Sequence, residues 1–171
     1  MLLSARCTFL MVILALISVT ESSCKGWREF QGYEYKLMEG PLVFWEAEQS
    51  CVREHAHLAS IHSEKENKFV FSLTTPKGMT LRDNAWIGLY RVESDWQWTD
   101  DTKVDYLHWS VDDPNNAENS EYCVFMFEYE LKKYKNGYWG DWGCHIKTQH
   151  HICKRRARHG NRHGHCNDCC R

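Results

Sequence analysis

No stretch of this 171-residue chain is long enough to cross a bilayer. Its longest unbroken apolar run, Phe9–Ile17, falls well short of the roughly 20 residues a spanning helix needs. There is no internal repeat, no Asn-x-Ser/Thr sequon and no heptad segment. A formal net charge of -2 points to no polyelectrolyte partner, so no nucleic-acid role is expected. The ten histidines are accompanied by no nucleophile motif, zincin helix or phosphate-binding glycine loop. An enzyme is therefore not expected.

What is present begins with Arg6 and the run Phe9–Ile17, followed by the small polar residues Ser18, Thr20, Ser22 and Ser23. That order of charge, apolar core and small residues reads as a secretory signal peptide over residues 1–22, so the mature chain is expected to be secreted. Cys7 leaves with the signal, and Cys24, Cys51, Cys123, Cys144, Cys153, Cys166, Cys169 and Cys170 remain. An even number of cysteines in an oxidising compartment points first to disulfides.

Residues 27–38 alternate aromatic and polar side chains and read as strand. The spacing of Phe44, Ala47, Cys51 and Val52 predicts a helix from Val43 to about His55. Ser63 and Glu66, at capping-box spacing, predict a second one with Phe69, Val70 and Leu73 inward. Strands are expected at Ala85–Tyr90, Trp96–Trp98, Tyr122–Phe127, Tyr138–Trp139 and His150–Cys153. The fold class is therefore α+β, with two helices preceding several strands. Between Thr99 and Ser120 little can pair or coil apart from apolar anchors such as Tyr106, Leu107 and Trp109; so long an irregular run inside a compact domain is usually functional. Trp86, Trp96, Trp98, Trp109 and Trp139 read as core or loop anchors. Tyr122 and Trp142 read as packing residues too, with stacking on the face of a bound ligand as the other possibility.

The stretch Asp112-Asp113-Pro114-Asn115-Asn116, then Glu121 and Asp141, gathers carboxylates and amides where the backbone is irregular. Oxygen donors of this kind suit a hard cation such as Ca²⁺. After Cys153 the composition shifts to a basic tail, residues 155–171, with Lys154 to Arg158 as its basic cluster. That cluster reads as solvated, with a polyanion patch or a processing site at Arg155-x-x-Arg158 as further readings. His163, His165 and the tail cysteines have ligands for Zn²⁺ or Cu, but in a secreted chain disulfides are the stronger expectation.

Trp86-Ile87-Gly88-Leu89, Trp96-Gln97-Trp98-Thr99-Asp100, Trp109, Asp113-Pro114-Asn115, Glu121-x-Cys123, Trp139-Gly140-Asp141-x-x-Cys144 and Ile152-Cys153 occur in one order and spacing. Together they resemble the C-type lectin domain over residues 24–154. The resemblance implies antiparallel strands with a long irregular Ca²⁺-binding loop, and disulfides Cys51–Cys153 and Cys123–Cys144. It also implies a cis proline at Pro114. By the same resemblance Asp113, Asn115, Glu121 and Asp141 are the Ca²⁺ ligands, and Asp113, Asn115 and Glu121 also touch the sugar. The acid-before, amide-after order around the proline accompanies mannose-type recognition. Two positions depart from the family pattern: Asp113 stands for its Glu, and Gly140 for an Asn that would be a further ligand.

The expected function is a mannose-type, Ca²⁺-dependent lectin. Its rival is a Ca²⁺-independent module of the same fold that binds a protein or another surface. Cys24, Cys166, Cys169 and Cys170 have three complete pairings open to them, and a disulfide-linked homodimer through Cys24 or the tail is a further expectation.

Overall fold

The computed structural model describes residues 26–74, 84–127 and 137–157. The signal segment, Cys24 and the tail cysteines and histidines lie outside the described residues.

The chain opens with a hairpin, β1 (Arg28–Phe30) and β2 (Tyr33–Leu42), then α1 (Phe44–Arg53), β3 (His57–Leu58) and α2 (Glu64–Leu73). The second half contains β4 (Asn84–Val92), β5 (Asp95–Trp98), β6 (Cys123–Phe127), β7 (Trp139–Trp142) and β8 (Thr148–Arg156). One sheet runs in the order β1-β2-β8-β4-β6-β7, with β3 on β8 and β5 on β4. Most pairings are antiparallel, as expected; β4 against β8 is parallel, so the sheet is mixed.

Period-two alternation sorts the strands into two apolar layers. Ala85, Ile87 and Leu89 of β4, Val124 and Met126 of β6, Trp139 and Ile152 share one layer with Val70 and Leu73 of α2. Trp86, Cys123, Phe125, Phe127 and Cys153 face the other, with Phe44, Ala47 and Cys51 of α1. Gly88 stands where β4 crosses the β3 backbone: a Cβ there would lie 2.6 Å from the Leu58 carbonyl oxygen. The Cys51–Cys153 disulfide ties α1 to β8, and Cys123–Cys144 ties the start of β6 to the segment after β7, both as the resemblance implied.

Ser63 caps α2, accepting the Glu66 N–H at 3.2 Å. Glu66 does not complete the box. Its carboxylate instead accepts from the His62 N–H, the Tyr35 hydroxyl and, at 2.7 Å, the Lys154 ammonium. For Lys154 and Arg155 the reading of a solvated cluster is corrected here, whereas Arg156 is exposed as expected and Arg158 lies outside the described residues. Lys154 is buried, and Arg155 pairs with Glu34 at 2.8 Å and lies over the Trp27 ring. Strand β8 continues through Arg156, two residues past the expected domain end at 154.

Candidate functional site

The long segment after β5 is anchored by aromatic contacts and by one isolated parallel bridge, Trp109 with Trp139. Tyr106 and Trp109 pack edge-on against Trp139, and the Ser110 N–H donates to the Trp139 carbonyl at 2.8 Å. Trp86, Trp98 and Trp139 are fully buried, as core residues should be. Leu107, expected as an anchor, is 44 % exposed. Its neighbours Tyr106 and His108 turn inward beside it and cover the Trp139 ring.

Beyond Trp109 the backbone adopts left-handed conformations at Asp112, Asn116, Glu118 and Asn119. Asp and Asn tolerate that region better than most residues, which accounts for their density here. The Asp113–Pro114 peptide is cis, as the resemblance implied. The Asp113 and Asn115 side chains meet, the Asn115 amide donating to Asp113 Oδ1 at 2.6 Å.

Asp141 holds this loop to β7. Its Oδ1 accepts the Asn115 N–H at 3.0 Å and its Oδ2 the Asn116 N–H at 2.7 Å, while the residue itself is buried. The Asn116 side chain then accepts the Glu121 N–H at 3.1 Å, and the Glu121 carboxylate accepts the Ala117 N–H at 2.8 Å. Asp113, Asn115, Glu121 and Asp141 thus sit within one small network. Sequence reasoning placed Asn116 in the donor-rich stretch but gave it no role; its side chain and N–H bridge Glu121 to Asp141.

Burial pushes the Glu121 carboxyl above its usual range, and the Asp141 and Glu118 charges push the same way against the Ala117 hydrogen bond. No described cation pairs with Glu121 or Asp141. The oxygens are nonetheless not gathered into a finished cage. Among the described residues, the one trio of potential metal-binding side chains with ligand atoms within 4.8 Å is Cys51, His151 and Cys153, two of which are bonded to each other. Gly140 lies opposite Phe125 in the β6–β7 register. A Cβ on it would stand 3.0 Å from Phe125 Cζ and 3.1 Å from Phe127 Cζ.

The donor set fits Ca²⁺: three carboxylates and an amide oxygen, with excess negative charge and no soft ligand. Tyr122 is 41 % exposed, its hydroxyl donating to the Asn119 carbonyl, so the packing expected of it is partial. Trp142 packs on Phe125.

With this geometry in place, comparison with known proteins is decisive for the family. Residues 41–155 match the Lectin C-type domain. The chain belongs to the C-type lectin domain family. Human "C-type lectin domain family 4 member K" is 36% identical over 77% of this chain, which spans only 38% of that relative's length. A "C-type lectin galactose-binding isoform" from Hoplocephalus stephensii is 33% identical over 80% of this chain and 90% of its own. Among solved structures, the C-type carbohydrate-recognition domain of cow CD23, determined in the presence of a GlcNAc2Man3 oligosaccharide, superposes with a TM-score of 0.66. It is 31% identical, over 78% of this chain and 95% of that one. A calcium-independent type II antifreeze protein shares the fold at TM-score 0.65 and 28% identity, over 78% and 93% of the two chains. No helix among the described residues of this lectin-family chain is long and apolar enough to cross a membrane.

Proposed function

We propose that the loop carrying Asp113, Asn115 and Glu121, together with Asp141, binds one Ca²⁺ and through it a mannose-type sugar. The observation that carries this reading is the hydrogen-bonded loop linking the four residues, Asp113 to Asn115 directly and Asp141 and Glu121 through the Asn115 and Asn116 amides and the Asn116 side chain, with Glu121 and Asp141 like-charged and uncompensated. Asp113, Asn115, Glu121 and Asp141 would hold the cation, which when bound would act as a Lewis acid toward sugar hydroxyls, and Asp113, Asn115 and Glu121 would offer their remaining polar atoms to the same hydroxyls. Asp141 does a second task, since its carboxylate fixes the two amides that shape the loop. The galactose named for one relative makes sugar class a direct experimental question, and the order Asp113-Pro114-Asn115 supports the mannose type. Competition of immobilised mannan binding by methyl mannoside against methyl galactoside, with and without chelator, tests it.

One observation supports the rival. The space beside Gly140 is taken by the Phe125 and Phe127 rings, so the position offers no further ligand. A Ca²⁺-independent surface binder is then the second reading, and retention on a ligand that ignores chelator distinguishes it.

The remaining parts of the reading are an extracellular location, a signal peptide over residues 1–22 and a lectin domain from Cys24 through β8. The two disulfides suit an oxidising compartment. A homodimer bridged through Cys24 or the tail cysteines would supply the multivalency that a shallow sugar site needs. Non-reducing electrophoresis of secreted protein checks the bridge.

A further inference from the structure

The core layer beside α1 holds a polar side chain that the fold does not use. His151 precedes Ile152 on β8, so by alternation it points the way Cys153 does, toward α1. Its strand neighbours are Met38 of β2 and Trp86 of β4. The residue is 1 % exposed, and neither ring nitrogen has a hydrogen-bond partner. An apolar side chain would fill this place with no polar atom to satisfy, so an imidazole with both nitrogens unpaired calls for a reason. Burial also holds the ring neutral at neutral pH, which leaves one nitrogen with a free lone pair.

What lies beside the ring is sulfur. A ring nitrogen of His151, Cys51 Sγ and Cys153 Sγ all lie within 4.8 Å of one another, and all three residues are buried. Two sulfurs and an imidazole nitrogen are donors that zinc takes, and tetrahedral zinc places such donors roughly 3.5–4 Å apart. While the disulfide is closed the sulfurs are bonded to each other and cannot serve. In the dithiol form each can give a thiolate.

We propose that Cys51, Cys153 and His151 form a zinc site in the dithiol form of the protein, so that the tie between α1 and β8 is closed either by a disulfide or by a metal ion. The chain is synthesised with thiols, and a low-molecular-weight thiol returns the disulfide to that form. Two reductant thiols give up two electrons and two protons and leave joined as one disulfide, while the Cys51–Cys153 bond breaks into two thiols. Zinc then displaces both thiol protons into solvent and takes two thiolates and the neutral imidazole, with water in the fourth position. Either closure joins residues 102 apart in sequence and so constrains the unfolded chain in the same way. Bound zinc also keeps both sulfurs from reoxidation. The site is independent of the calcium reading, since its soft donors suit a different ion and none of them belongs to the Asp113–Glu121 loop.

The test uses the full mature chain with Cys24, Cys166, Cys169 and Cys170 replaced by Ser, so that the tail thiols cannot compete. The protein is reduced with a phosphine in the absence of oxygen and melted with and without ZnCl₂, beside the oxidised protein and reduced His151→Leu. Zinc at about a hundred times its Kd should raise the midpoint of the reduced protein by roughly 5–10 °C. It should also move the His151 ring ¹⁵N signal. Neither change is expected in the oxidised protein, and no rise in reduced His151→Leu. If reduction alone unfolds the chain, zinc should restore the native spectrum, and failure to do so overturns the proposal. Absence of any rise overturns it, as does an equal rise in the oxidised protein or in His151→Leu, which would assign the zinc to other groups. The ring signal decides the matter even where reduced His151→Leu does not fold: a ring unmoved by zinc contradicts the site.

Discussion

Phe125 Cζ lies 3.0 Å from the point where a Cβ on Gly140 would stand, so any side chain there would force the ring to give by a few tenths of an ångström. The glycine and the bulky residue paired across from it are two sides of a single packing arrangement.

Gly140→Asn alone is therefore expected to destabilise the fold by about 1–3 kcal/mol through overpacking, and not to tighten Ca²⁺. With Phe125→Thr as companion the nearest ring is removed, leaving Phe127 Cζ at 3.1 Å, and Ca²⁺ should bind more tightly than in Phe125→Thr alone. Thermal melts and calorimetric titration of the three variants check this. Tighter Ca²⁺ in the unaccompanied Gly140→Asn would show that the rings yield freely.

Asp141→Ala removes both a proposed metal ligand and the acceptor for two backbone amides. The loss expected is all detectable Ca²⁺ binding together with about 1–3 kcal/mol of stability from the orphaned N–H groups. Asp141→Asn keeps one acceptor oxygen and should lose less stability. Removing the charge should also let the Glu121 carboxyl fall back toward its ordinary range, which carbon-detected NMR of that carboxyl can follow. In the unaltered protein, acid should weaken Ca²⁺ binding from a higher pH than an ordinary carboxylate would, because Glu121 must lose its proton to act as a ligand.

His151 gives a second pH dependence, seated in the core. It is 1 % exposed, neither ring nitrogen has a hydrogen-bond partner, and burial pushes its pKa down to about 4, with His150 and Arg53 acting in the same direction. The unfolded chain takes up this proton near 6.5 while the folded chain resists it until about 4. Stability from this group is thus complete above the unfolded value and declines as pH falls through that window. At pH 5 the loss is roughly 2 kcal/mol. Chemical denaturation across this range should show a flatter dependence in His151→Leu; an unchanged slope would mean that the ring finds a partner on protonation.

Much of this architecture is legible in local sequence. Strand β4 followed from its short apolar run, and the α2 cap from Ser63, because both signals lie within a few residues of the structure they produce. Lys154 and Arg155 read as tail because their partners are 88 and 121 residues away, at Glu66 and Glu34. No composition rule brings those pairs together. The same holds at the site: Asp113, Asn115, Glu121 and Asp141 were visible as residues, whereas the organising part of Asn116 and the ring above Gly140 required the β6–β7 register.

The buried Lys154–Glu66 pair makes that correction testable. Lys154→Ala leaves the buried Glu66 carboxylate without its countercharge and should cost about 3–5 kcal/mol, whereas a truly solvated Lys154 would make the change nearly neutral. Urea denaturation of the single variant is sufficient.

The central claim is that one Ca²⁺ sits among Asp113, Asn115, Glu121 and Asp141. Isothermal titration of the metal-free protein with CaCl₂, beside Asp141→Asn under the same conditions, tests it most directly. A single saturable site with Kd on the order of 10⁻⁴ to 10⁻³ M, absent from the variant, is the result predicted. No saturable heat, or the same heat in both proteins, would contradict it.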